Sequence, residues 1–186
     1  MSDLSLPPPF WFVLDVEAVG LQGDAYAFGF VVIDNDGAEH AAGGAVLGEH
    51  GYDFLRGNEA GHAFIAQYGA LWRNPVEMMV VDAQEGILAL FTRLWTLWQK
   101  EGAVLVADHP FPVETRFLDG LTRHGVAMPY PLIDVASVRL AAGFDPIGTE
   151  PRLRNEEPAH NPLADARQSA RLLLEALAAC RAKAAT

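Results

Sequence analysis

The sequence predicts an α/β domain in which a mixed sheet, three antiparallel strands followed by parallel ones, is flanked by helices. Three observations carry this expectation. Residues 10–47 supply strand-like apolar runs joined by turn residues, as an antiparallel meander does. Beyond residue 82, apolar positions at helical spacing alternate with short, wholly apolar runs, as in helix–strand units. No internal repeat or long linker divides the chain, and 186 residues, 51% of them apolar, are enough for one domain with a sizeable core.

Taken in order, residues 1–9 are polar and proline-rich and read as a flexible N-terminal arm, so the domain spans 10–186. Phe10–Gly20 (FWFVLDVEAVG) is a buried strand ending in two carboxylates one residue apart. Side chains i and i+2 share a face of a strand, roughly 6–7 Å apart. Asp15 and Glu17 therefore point one way, and Leu14 and Val16 point into packing on the other face. Tyr26–Ile33 (YAFGFVVI) has the β-branched and aromatic content of a second strand. Asp34–Gly37 (DNDG) supplies a hairpin turn, and Ala38–Leu47 returns as a third strand, weakened by Gly43 and Gly44.

Residues 48–82 carry little pattern; a short helix over His62–Trp72 follows Asn58 and is broken by Asn74-Pro75. Asp82, with Glu85 three residues on, reads as the cap of a helix whose Ile87, Leu88, Leu90, Phe91, Leu94, Trp95 and Trp98 form a wide apolar stripe. Ala103–Ala107 (AVLVA) is an interior strand, followed by a loop over Asp108–Pro112 and a helix from Val113 to about His124 that Gly125 ends. Pro131–Asp134 is another short strand, and Val135–Ala142 a helix closed by Gly143. Residues 145–159 form a loop holding Pro146, Pro151, Pro158, Arg152 and Arg154, the arginines reading as solvated surface or as phosphate contacts. The last helix takes Asn161 as its cap and Pro162 as its first residue and runs to about Lys183.

A formal net charge of −11 argues against broad, salt-driven adhesion to long nucleic acid. It leaves room for an enzyme whose bound divalent ions receive phosphates. Cys180 is the only cysteine, so no intramolecular disulfide forms and a reducing cytoplasm is expected. The N-terminus has neither a basic n-region nor an apolar h-region, so no signal peptide is expected. No apolar run reaches the ~18–20 residues of a membrane helix, so no membrane partner is expected.

Two acids on one side of an apolar strand repel one another and lose solvation unless a cation sits between them or one is protonated. Metal binding accounts for Asp15 and Glu17; the alternative is a strand that simply runs out into solvent. Asp165 falls in the first turn of the last helix, where the dipole favours a carboxylate. His160 hangs from the loop just before the cap. An acid that holds an ion beside a histidine that deprotonates water is a compact hydrolytic pair; a surface histidine and a dipole-complementing Asp would look the same.

Together, LDVEAVGL near the N-terminus, VADHPFPVETRFL in the middle and HNPLADARQSARLLL near the C-terminus resemble the three motifs of the DEDD, or DnaQ-like, 3′–5′ exonucleases. The likeness is to the branch with a histidine in the third motif, which includes oligoribonuclease and RNase T. The motifs come in the family's order and at about its spacings, over residues 10–178, with little match over 48–80. The resemblance implies an RNase H-like mixed sheet and a single-stranded RNA or DNA 3′ end as substrate. It implies Asp15, Glu17 and Asp165 as metal ligands and His160 as general base. The second motif departs from the pattern: where the family has an Asp, the match through Arg116, Phe117 and Leu118 puts Glu114, with Asp108 the competing candidate.

The implied mechanism is two-metal-ion phosphodiester hydrolysis with Mg²⁺ or Mn²⁺, releasing nucleoside 5′-monophosphates. Ala18, Gly20 and Leu21 stand where the family's backbone contacts the terminal nucleotide, and Val19 where relatives often have threonine. Phe111 is a candidate to stack on a base or to close the core. Relatives are often homodimers, and Trp72, Trp95 and Trp98 are candidates for that interface. The acidity and the altered second motif also suit a catalytically impaired module that binds nucleic acid or protein, and the acidity alone suits a hydrolase of small phosphodiesters.

Overall fold

A computed structural model describes residues 7–68, 71–73, 77–123, 125, 127, 129–148 and 150–184. Residues 1–6 of the arm expected over 1–9, the break at Asn74-Pro75 and the helix end at His124 lie outside the described residues. The chain runs through β1 (Phe10–Ala18), β2 (Ala25–Ile33), β3 (Glu39–Leu47), α1 (Glu49–Tyr52), α2 (Glu59–Tyr68), β4 (Met78–Val81), α3 (Gln84–Lys100), β5 (Ala103–Ala107), α4 (Val113–Arg123), β6 (Leu132–Asp134), α5 (Val135–Ala142) and α6 (Pro162–Ala184).

The strands form one sheet in the order β4-β3-β2-β1-β5-β6. β1, β2 and β3 pair antiparallel, whereas β4 on β3, β5 on β1 and β6 on β5 pair parallel. This is the mixed sheet flanked by helices that the sequence predicts. β4 and α1 are additions: each is four residues long, too short for a periodic signal.

Strand alternation divides the core into two layers. Phe12, Leu14 and Val16 of β1 pack with Phe28, Phe30, Ile87, Phe91, Trp95, Phe117 and Leu121, so α3 and α4 cover that face. Trp11 and Val13 pack with Val31, Val106, Val135, Ala166, Ala170 and Leu173, so α5 and α6 cover the other. The odd-numbered face of β1, continued through Asp15 and Glu17, thus looks toward α6.

Several local expectations change. α3 begins at Gln84, with Ala83 in extended conformation at its cap and no side-chain cap bond, so Asp82 does not cap it. Gln84 Nε2 donates to Ala25 O at 3.1 Å and ties the first turn to β2, which fixes the helix start beyond Asp82. The helix expected over His62–Trp72 begins earlier, at Glu59, because Asn58 Oδ1 accepts from Gly61 N at 2.7 Å and closes its first turn. Trp95 is core and meets Phe12 edge-on at 5.7 Å, and half-buried Trp98 packs edge-on against Phe10 at 5.3 Å. Trp95 is thus committed to the core, and Trp98 is in part; the Trp72 side chain lies outside the described residues. No helix among the described residues is long and apolar enough to cross a membrane.

Candidate metal centre

The site forms because β1 outruns its parallel neighbour. β5 stops at Ala107, opposite Leu14, so Asp15, Val16 and Glu17 extend past the end of the β5 ladder. The Val16 N–H, lacking a strand partner there, donates instead to Glu114 Oε1 in the first turn of α4, at 3.3 Å. Glu114 is buried, 5% exposed, and so is drawn against β1 between the positions of Asp15 and Glu17. The ladder to β2 also slips by one residue between Glu17 and Ala18, an irregularity that turns the strand end.

The opposite wall is the start of α6. Asn161 Oδ1 accepts from Leu163 N and Ala164 N at 3.1 and 3.3 Å, the expected cap, with Pro162 as first helical residue. His160 precedes the cap with φ of 61°, in the left-handed region where histidine is among the tolerated residues. Its backbone N–H donates to the Asp165 carboxylate, and its ring meets Phe64 of α2 edge-on, centroids 4.8 Å apart. Glu17, His160 and Asp165 each offer a ligand-capable atom, all within 4.8 Å of one another.

Electrostatics mark the cluster as short of positive charge. Burial pushes the Asp15 carboxyl well above its ordinary value, reinforced by the charges of Asp165, Glu17, Glu114 and Asp108. Glu17 is pushed up to about 8, by burial first and then by Asp165 and Glu114. Glu114 rises to about 7 through burial, against the stabilising N–H bond from Val16. Asp165 is also raised by burial, although Arg152 and His160 oppose the rise.

One oxygen, Asp165 Oδ1, is buried without a hydrogen bond. Arg152 Nη2 lies 2.5 Å from it and supplies a positive charge against it. Carboxylate oxygens with one imidazole nearby form a donor set that fits hard divalent ions. The residues present therefore fit a metal.

The other candidates fall into place around this cluster. Asp108 follows β5 directly; its Oδ1 is buried 3.0 Å from His109 Nδ1, and burial, with Asp134, raises its carboxyl above the ordinary value against the opposing His109. Ala18 lines a cavity of about 270 Å³ between the β1 end, α3 and α4, together with Arg56, Gln84, Arg116 and Phe117. Gly20 has φ of 70°, and a side chain there would meet Asn58 Oδ1 at 3.3 Å and Gly61 Cα at 3.6 Å, so the close approach it permits is that of α2. Leu21 is exposed. Phe111 is 81% exposed, which removes its core reading: it sits on a surface turn before α4. Arg154 is exposed, as expected, whereas Arg152 is bound to Asp165 rather than solvated.

Sequence reasoning missed three positions that build the site. Gly29 lies opposite Asp15 in the β1–β2 ladder, and a Cβ there would meet Leu163 N at 2.2 Å. The signal was a glycine inside the apolar strand YAFGFVVI, which marks close backbone approach. Gly61 lets α2 touch the turn after β1, where a Cβ would meet Gly20 N at 2.6 Å. Phe64, one helical turn on, backs His160; a lone aromatic in the segment without pattern gave no signal. Compared with models of known protein families and with curated proteins, the sequence matches none.

Proposed function

We propose that the chain is a metal-dependent 3′–5′ exonuclease of RNase H-like fold that acts on short single-stranded RNA or DNA. The observation that carries the reading is the convergence of Glu17, His160 and Asp165 within 4.8 Å, with the carboxylates of Asp15 and Glu114 near enough to act on the same cluster by charge. The order of the sheet, the parallel strands beside the antiparallel meander, and the placement of all three motifs at one strand end support the same fold.

Asp15, Glu17 and Asp165 would hold divalent ions, Mg²⁺ or Mn²⁺, with Glu114 favoured over Asp108 because its carboxylate is held beside Val16. Such ions supply positive charge for the scissile phosphate and acidify water. His160 accepts the proton of the attacking water on a ring nitrogen, held in place by its backbone bond to Asp165 and by the Phe64 ring. Phe64 of α2 stands against His160, and Asp165 lies in the first turn of α6. The net charge of −11 disfavours long duplexes.

The test is digestion of 5′-labelled single-stranded RNA and DNA oligonucleotides with Mg²⁺ or Mn²⁺, wild type against Asp15→Asn. A metal-dependent ladder shortening from the 3′ end, lost in the variant, is expected. Tight binding of an oligonucleotide without any cleavage would refute the enzyme. That outcome would favour the binding module, a reading that the Arg152–Asp165 contact also suits.

A further inference from the structure

The loop between α5 and α6 is sewn down by arginines. Arg139 of α5, 3% exposed, donates to Glu150 Oε1 at 2.7 Å and to Asp145 O at 3.2 Å. Gln168 Nε2 reaches Glu150 O at 3.3 Å, and Arg171 Nη2 reaches Pro151 O at 3.0 Å. Arg171 also grips Glu156, an acid 1% exposed, through Nε to Oε1 at 2.7 Å and Nη2 to Oε2 at 3.0 Å. Arg152 stands among these anchors, so its side chain leaves a fixed backbone. Nη1 donates to Glu156 O at 2.6 Å, and Nη2 lies 2.5 Å from Asp165 Oδ1.

Two arginine–carboxylate pairs on one loop can thus be compared. Arg171–Glu156 is the two-pronged fork in which guanidinium and carboxylate match. Arg152–Asp165 is a one-nitrogen contact: Nη2 meets Oδ1 at 2.5 Å while Nη1 is engaged by Glu156 O. A partner selected for Asp165 would be seated as Arg171 is on Glu156. Arg152 instead keeps one nitrogen on the loop and lends the other to the cluster, with its side chain 21% exposed.

We propose that Arg152 is a displaceable internal counter-ion: it neutralises Asp165 in the metal-free site and yields Oδ1 to an incoming divalent ion, thereby setting the ion concentration at which the site fills. The inference rests on the metal-binding reading of the cluster. Guanidinium stays charged at any ordinary pH, so the exchange is a competition between cations. When it yields, Arg152 retains its bond to Glu156 O and stays at the rim.

The experiment is Mn²⁺ titration of the full chain, followed by the electron paramagnetic resonance signal of free Mn²⁺, on wild type, Arg152→Gln, Arg152→Lys and Asp165→Asn. Arg152→Gln is expected to bind Mn²⁺ about threefold to tenfold more tightly, the size of losing one half-buried competing charge. Arg152→Lys, which keeps the charge, is expected to stay near wild type, and Asp165→Asn to bind weakly. Mn²⁺ binding by wild type with equal or weaker binding by Arg152→Gln overturns the proposal alone. If Arg152→Lys is normal while Arg152→Gln is weaker, Arg152 is a support for the loop and the proposal falls. No binding by either wild type or Arg152→Gln overturns the metal site itself.

Discussion

Replacing Gly29 with alanine tests how the two walls of the site are brought together. Gly29 pairs with Asp15 across the β1–β2 ladder, and its missing side chain admits the first turn of α6. An added Cβ would stand 2.2 Å from Leu163 N, 2.3 Å from Pro162 C and 2.5 Å from Leu163 Cα. All three neighbours are backbone, so no rotamer change relieves them. Reaching an ordinary contact of 3.4 Å requires α6 to retreat by roughly 1.2 Å.

Overpacking of this kind costs about 1–3 kcal/mol, and alanine returns ~0.5–1 kcal/mol through the unfolded chain and strand propensity. The net loss of about 1–2 kcal/mol lowers Tm by roughly 3–6 °C for a domain of this size. The retreat carries Asp165 and His160 away from Glu17, and loss of such support costs a site about tenfold or more in metal affinity. Calorimetry and Mn²⁺ titration read the two effects separately. Unchanged Tm together with unchanged Mn²⁺ affinity would refute the claim that Gly29 sets the position of α6.

Other perturbations follow from the same contacts. Glu17 rises from 4.5 to about 8 on folding, so between those values the native state holds a proton that the unfolded chain has released. At ~1.4 kcal/mol per pH unit the bound is near ~5 kcal/mol, and water at the half-buried site reduces it to about 2 kcal/mol. The metal-free protein is therefore expected to lose stability from pH 5 to pH 8, and Glu17→Gln to flatten the slope; chemical denaturation across that range with no slope in wild type would contradict it. Phe64→Ala is expected to lower kcat about tenfold by loosening His160, with Mn²⁺ affinity within about twofold and Phe64→Tyr restoring the rate; an unchanged kcat would show that the ring contact is idle. Asn161→Ala removes two N–H partners at the α6 cap and should cost about 1 kcal/mol, read as a Tm lower by roughly 2–4 °C. Arg171→Met strands the buried Glu156 and is expected to cost about 3 kcal/mol; denaturant titration showing less than about 1 kcal/mol would show that Glu156 finds another partner.

The fold was legible where patterning is long and local. β1, β2 and β3 announce themselves through alternation and the DNDG turn, and the Asp34 side chain does accept from Asp36 N and Ala38 N as such a turn requires. α6 was legible through Asn161 and Pro162 because a cap is a local bond. Of the residues singled out in the sequence, Glu17, His160 and Asp165 come within 4.8 Å of one another, because the strand face and the start of α6 that carry them are each marked by local pattern.

What escaped was set by contacts distant in sequence. The start of α3 depends on Gln84 reaching Ala25, fifty-nine residues away, which overrides the local capping box at Asp82. Arg152 reads as surface until Arg139, Gln168 and Arg171 are seen to pin its loop. Glycines at 29 and 61 show their purpose only against the backbone of another element.

The charges around the β1 end explain why these distant contacts converge there. Asp15, Glu17, Glu114 and Asp165 bring four negative charges if all are ionised, and Arg152 returns one positive charge. The N-termini of α4 and α6, which hold Glu114 and Asp165 in their first turns, add about half a charge each. The deficit is then about two charges, and protonation makes it up, which is why burial and mutual repulsion lift these carboxyls together. If Arg152 swings out, the deficit becomes about three, which two divalent ions and one phosphodiester would balance to within a unit. Under the proposed exchange, a site without Arg152 would hold its protons, or its metal, more firmly.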